Sequence, residues 1–172
     1  MNENHALCAT PEWAEFMERD VLEPVTAGID LGAEMLELDE ESGTRLADEL
    51  AGSNVTVTIG DSMNVPFPDE SFDSVACFTM LHHVPTQREQ FATLREACRV
   101  LRPGGVLVGA DSLASQGLHD FHEGDTYNPI DPARLLVFLQ AAGFGHVMVS
   151  AGEGLLLTAR KPSEEGSSAC PA

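Results

Sequence analysis

Lysine occurs once in 172 residues, at Lys161, and nine basic side chains in all face 28 acidic ones, for a formal charge of -19. A chain so poor in cations has no patch with which to neutralise phosphates, so no nucleic-acid partner is expected. The acidity itself fits solubility, a preference for a cationic ligand, or adaptation to a salty cytoplasm. Cysteine is sparse. Cys8, Cys77, Cys98 and Cys170 form no C-x-x-C pair and no metal-ligand spacing. Cys77 falls in an apolar run and Cys98 on an expected helix, which reads as reduced thiols of a cytosolic protein. No apolar run reaches the length of a membrane span. The opening "MNENHALCATPEWAEF" has neither a basic start nor a long apolar stretch, which argues against a signal peptide. A cytoplasmic protein without a membrane partner is expected.

What is present is a regular alternation. The length suits one domain, expected over 1–162, with 1–30 as an N-terminal helical cover and 163–172 as a disordered tail. Thr10-Pro11 predicts a helix start, with Trp13, Phe16, Met17 and Val21 at helical spacing to about Leu22. A strand is expected over 33–38, a helix from Glu40 to about Leu50, and a β-branched strand over 54–59. Pro66 and Pro68 mark a loop. "SVACFTML" is nearly all apolar, as in a strand covered on both faces. "PTQREQFATLREACRVL" sets Phe91, Leu94, Cys98 and Leu101 along one helical stripe, closed by "RPGG". "VLVGADS" predicts a buried strand, 112–130 a long loop, and Asp131-Pro132 a helix ending at Gly143. "HVMVSAG" and "GLLLTARK" predict a hairpin turning at Gly152-Glu153-Gly154. The expected fold is α/β, a three-layer sandwich around a mostly parallel sheet with one antiparallel strand.

"GDSMNVPFPDESFDSVACFTMLHHV" at 60–84, followed by "LREACRVLRPGGVLVGADS" at 94–112, resembles the class I S-adenosylmethionine-dependent methyltransferases. The similarity is to the small-molecule group that includes the ubiquinone and menaquinone C-methyltransferases. It spans roughly 30 to 160 and implies a Rossmann-like methyltransferase fold, S-adenosylmethionine as cofactor and a small-molecule methyl acceptor as substrate. By the resemblance, Glu37 receives the ribose hydroxyls and Asp61 the adenine amino group. Ser62 supplies a backbone N–H, and Phe78 ends the strand whose backbone meets the methionine part. Such residues also fit the rule that ligands of open parallel sheets sit beyond the carboxyl ends of the strands.

One family feature is missing. A glycine loop should follow the first strand, because its backbone bends tightly under the cofactor. Here "GAEMLEL" runs into "LELDEES", and Asp39, Glu40, Glu41 and Ser42 occupy the turn. One βα unit is expected to be lacking, which leaves a six-stranded sheet and weakens cofactor binding. His82 and His83 are the candidate catalytic bases, since neutral imidazole suits proton acceptance near pH 7. His119 and His122 in "LHDFHEGDTYNP" have H-x-x-H spacing, but a lid is expected there and no metal. The expected function is methyl transfer to a small molecule, impaired by loss of the glycine loop. A non-catalytic binding or partner module is the alternative. A dinucleotide oxidoreductase is disfavoured, because G-x-G-x-x-G is absent. The oligomeric state stays open.

Overall fold

The computed structural model describes residues 10–38, 56, 58 and 60–163. The acidic turn 39–42, the helix expected at 40–50, most of the strand expected at 54–59, Cys8, Cys170 and the tail from 164 lie outside them. Among the described residues five strands form one sheet in the order β1-β2-β3-β5-β4. They are β1 (Met35–Leu38), β2 (Phe72–Phe78), β3 (Leu101–Asp111), β4 (Gly145–Ala151) and β5 (Leu155–Arg160). β1, β2 and β3 are parallel, and β5 is antiparallel to both of its neighbours. The fold is α/β, as the alternation predicts. β1 pairs with β2, Leu38 opposite Cys77.

The N-terminal helix runs on past the expected end at Leu22. It consists of α1 (Pro11–Phe16), a π-helical stretch (Met17–Leu22) and α2 (Glu23–Thr26). Pro24 has no N–H to continue an α ladder. The chain widens ahead of it, with the Glu23 N–H reaching back five residues to the Glu18 carbonyl. Val25 then packs with Ala76, Val106 and Val108 on one face of the sheet.

The other face carries the larger core. α3 (Gln87–Val100) brings Leu94, Ala97 and Cys98, and α5 (Pro132–Ala142) brings Leu135 and Leu139, onto Val75, Cys77, Leu107, Leu155 and Leu157. Each fully buried leucine contributes about 1.5–3 kcal/mol. Burial also pushes the Cys98 thiol pKa up. Both helices begin at a side-chain cap, and the Asp131-Pro132 start is the one the sequence predicts. The Thr86 hydroxyl accepts the Glu89 N–H at 3.2 Å, and the Asp131 carboxylate accepts the Arg134 N–H at 3.0 Å. α5 ends at Gly143, with φ of 107°.

Two more segments differ from expectation. "RPGG" does not simply close α3. It enters β3 as a bulge, because Phe72 faces Leu101 while Ser74 faces Val106, so Arg102–Gly105 oppose Asp73 alone. The 112–130 loop contains a short helix, α4 (Gln116–Phe121), whose first turn is capped by the Ser115 hydroxyl on the Leu118 N–H at 3.2 Å.

Asp73 fixes the near end of the sheet. One carboxylate oxygen accepts the Ala33 and Glu34 N–H groups, each at 3.1 Å, and the other accepts the Arg102 guanidinium at 2.6 Å. Gly32, with φ of 72°, lies so close that an added Cβ would collide with the Asp73 side chain. The Arg102 hydrogen bond, helped by the N–H groups of Glu34 and Ala33, holds the Asp73 carboxyl below its ordinary value of 3.8. A depressed native pKa stabilises the fold fully above the unfolded value, and this contribution fades as pH falls through the native one. Asp73→Asn should therefore lower the urea midpoint at pH 7 and lose less further stability than the native chain between pH 5 and roughly pH 2. Equal acid dependence in both proteins would remove Asp73 from this role. Gly109 pairs with Cys77, and a Cβ there would strike the Cys77 carbonyl oxygen. Gly109→Ala should cost about 1–3 kcal/mol in denaturant unfolding, unless β2 and β3 can part without penalty.

Candidate functional site

β2 ends at Phe78, and the next residue takes a conformation rare for its type. Thr79 has φ of 51°, a left-handed value costly for a β-branched side chain. Its N–H donates to the Ala110 carbonyl at 2.8 Å. The bend turns the chain into a single 3-10 turn, Leu81–His83, just beyond the carboxyl end of the sheet. His82 and His83 therefore come from a short rigid turn, and their rings lie 4.1 Å apart.

His82 is 4% exposed. Its Nδ1 lies 2.5 Å from Asp111 Oδ1, at the end of β3, and its backbone N–H reaches Asp111 Oδ2 at 3.3 Å. The same carboxylate accepts the Ser112 N–H at 2.7 Å. A carboxylate can only accept here, so Nδ1 carries the hydrogen and Nε2 the lone pair of the neutral ring. His122, buried just after α4, completes the cluster, with centroids 5.0 Å from His82 and 5.2 Å from His83. Its Nδ1 donates to the Leu118 carbonyl at 2.7 Å. Tyr127 stacks on it at 4.6 Å and 14°. His119 lies on α4 with its side chain 73% exposed, so the two imidazoles of H-x-x-H part company.

Gln90 locks this region. It is fully buried on α3, and its Nε2 donates to the carbonyls of Leu81 at 2.9 Å and Asn128 at 2.7 Å. Asn128 answers with its own N–H to the His82 carbonyl at 2.7 Å and its side-chain amide to the Val84 carbonyl at 3.0 Å. The turn bearing the histidine pair and the segment bearing Tyr127 are thus one hydrogen-bonded unit.

Beside His83 opens a cavity of about 380 Å³, lined by Gly60, Asp61, Ser62, Met63, Met80, His83, Val84, Pro85 and Glu89. It brings together three residues expected to act in one site, Asp61, Ser62 and His83. Asp61 is exposed, and one of its oxygens accepts the Met63 N–H at 2.8 Å, which shapes the turn. Ser62 Oγ lies 3.1 Å from Thr93 Oγ1 on α3 and ties that turn to the core. Glu37 and Phe78 lie outside this lining, at the carboxyl ends of β1 and β2. Glu37 is in register with Ala76, so Glu37 and Phe78 share the sheet face that α2 covers.

Sequence reasoning missed Asp111, Gln90 and Asn128. A signal existed for two of them. Asp111 closes an otherwise apolar strand, and Gln90 interrupts an apolar helical stripe four residues before Leu94. Gln90→Leu would leave two carbonyls without this donor. It should lower stability by about 2 kcal/mol and speed proteolysis within 112–130. Unaltered cleavage with an unaltered melting temperature would deny the locking role.

Three comparisons bear on this arrangement. The family described as "Methyltransferase domain" matches residues 7–109. A demethylmenaquinone methyltransferase of Listeria monocytogenes is 36% identical over 106 residues, which cover 61% of this chain and 42% of the relative. The matched region is thus under half the length of that curated relative. Among solved structures, a SAM-dependent methyltransferase of Thermotoga maritima superposes over 94% of this chain and 100% of its own, with a TM-score of 0.66 at 18% identity. PigF bound to SAH superposes over 83% of this chain and 47% of its own, with a TM-score of 0.57 at 18% identity.

Proposed function

Because the chain belongs to the class I S-adenosylmethionine-dependent methyltransferases, we propose that it methylates a small quinone-like or phenolic acceptor at the cavity beside His83. S-adenosylmethionine is the cofactor, and it supplies a methyl carbon already activated by its sulfonium. The carrying observation is the shared lining, in which Asp61, Ser62 and His83 border one cavity at the carboxyl end of the sheet. These residues fit the cofactor. A carboxylate at Asp61 suits the adenine amino group, the Ser62 N–H lies next to it, and Glu37 can accept from both ribose hydroxyls. The backbone at Phe78 and Thr79 would receive the methionine part.

The chain's own work is alignment, exclusion of water and removal of one proton. His83 is half-buried on the cavity wall and is the candidate base that lines the cavity. His82 lies behind it. Asp111 holds the His82 Nδ1 hydrogen, so Nε2 can take a proton while the carboxylate stabilises the resulting cation. The quinone-like acceptor is proposed from the relatives and from the apolar Met63, Met80 and Val84 on the same wall. A cofactor-binding module without turnover is the second reading. Asp39-Glu40-Glu41-Ser42 favours it, standing where the family carries glycines.

Calorimetry with S-adenosylmethionine tests binding, and a radiolabelled methyl donor with a panel of quinones and phenols tests turnover. Asp61→Ala and Glu37→Ala should each weaken cofactor binding at least about tenfold, the loss of one hydrogen bond to a charged group at 1.5–3 kcal/mol. His83→Ala should slow transfer by about 10²-fold with cofactor affinity preserved. Binding without transfer to any acceptor, even after a glycine loop is inserted between Leu38 and Asp39, would favour the module.

A further inference from the structure

We propose that His82, His83 and His122 form a binding site for one divalent transition-metal ion of the zinc type. Each residue offers a ring nitrogen, and the three nitrogens lie within 4.8 Å of one another, the one such group among the described residues. The inference goes beyond the methyl-transfer reading, whose candidate bases His82 and His83 it shares, and needs no cofactor.

The hydrogen bonds behind the rings point the same way. His82 donates Nδ1–H to the Asp111 carboxylate, and His122 donates Nδ1–H to the Leu118 carbonyl. Neither acceptor can donate, so both rings are fixed in the tautomer whose Nε2 holds the lone pair. A carboxylate or carbonyl behind each imidazole is the support that metal-ligating histidines usually have, and it makes the ring a better donor. Both rings are at least nine-tenths buried, and Tyr127 stacked on His122 limits its rotation. His83 is the partly exposed member and shares the cavity wall with Asp61 and Ser62. A fourth coordination position could be reached from that side.

The donor set selects the ion. Three imidazoles without a carboxylate ligand suit zinc, cobalt, nickel or copper, and not magnesium or calcium, which require oxygen. Metal–nitrogen bonds of about 2.0–2.1 Å put tetrahedral ligand nitrogens about 3.4 Å apart. The cluster must therefore tighten, and His83, the least enclosed ring, has the room to move. Proton acceptance by His82 and metal ligation draw on the same Nε2 lone pair. The two are exclusive states of one residue.

The full chain, stripped with chelator, should be titrated with Zn²⁺ in the calorimeter and with Co²⁺ in the visible spectrophotometer. Expected are about one equivalent of tight binding, the intense bands of four-coordinate cobalt, and no competition from Mg²⁺. His122→Gln and His83→Gln should each weaken uptake at least about tenfold, and His119→Gln should leave it unchanged. Circular dichroism checks folding, and the exposed edge of His83 keeps its variant informative if His122→Gln unfolds. Absent uptake overturns the proposal and leaves three imidazoles that merely pack and hydrogen-bond. Uptake that persists in both variants also overturns it, by assigning the ion to other residues.

Discussion

The Asp73 carboxylate is the constraint on which the rest of the sheet depends. β1 has only four residues, and its partner among the described residues is β2. What brings it into line is the approach at Gly32, where Asp73 receives the Ala33 and Glu34 N–H groups while holding Arg102 of the β3 bulge. One side chain thus registers three consecutive parallel strands at their starting end. Errors there would propagate along the strands to the opposite end, where Glu37, Phe78 and Asp111 are presented. The pair Phe72-Asp73 at the start of β2, one short piece of the sequence motif, is therefore less about chemistry than about alignment.

The far end of the sheet works by a second principle, the concentration of polar groups on a rigid turn. Thr79 stores backbone strain so that the chain can leave β2 abruptly. Gln90 and Asn128 hold the turn with hydrogen bonds to the carbonyls of Leu81 and Val84 and to one another. The His82–Asp111 pair then has a fixed geometry before any ligand arrives. Such preorganisation serves a proton acceptor and a metal ligand equally well, which is why geometry alone favours both roles for the same ring.

Much of this was legible in the sequence, for stated reasons. Apolar runs such as Ser74–Phe78, the Asp131-Pro132 start, Gly143 and the hairpin around Gly152 and Gly154 are local signals, and local physics decides them. The strand expected over 33–38 is found as β1, Met35–Leu38. The bulge at Arg102–Gly105 was not legible, because it depends on Asp73, 29 positions before Arg102. Nor was the meeting of His122 with His82, or the clamp from Gln90 to Asn128, 38 positions apart. The π-helical stretch before Pro24 carries the helix past the Leu22 end that apolar spacing suggests. The proline ends an α ladder, but a wider turn lets the helix continue.

Lys161 has a last consequence. Its ammonium donates to the carbonyl of Leu101 at 2.7 Å and approaches that of Arg99 at 3.4 Å, just where α3 gives way to β3, with Glu70 3.4 Å away. It is also the only lysine in these 172 residues. Acylation, conjugation or amine coupling at lysine can therefore reach just one side chain, and that one is structural. Modifying it would strip a cation from the carboxyl end of a long helix, so lysine-directed chemistry on this chain reads out folding before it reports on anything else.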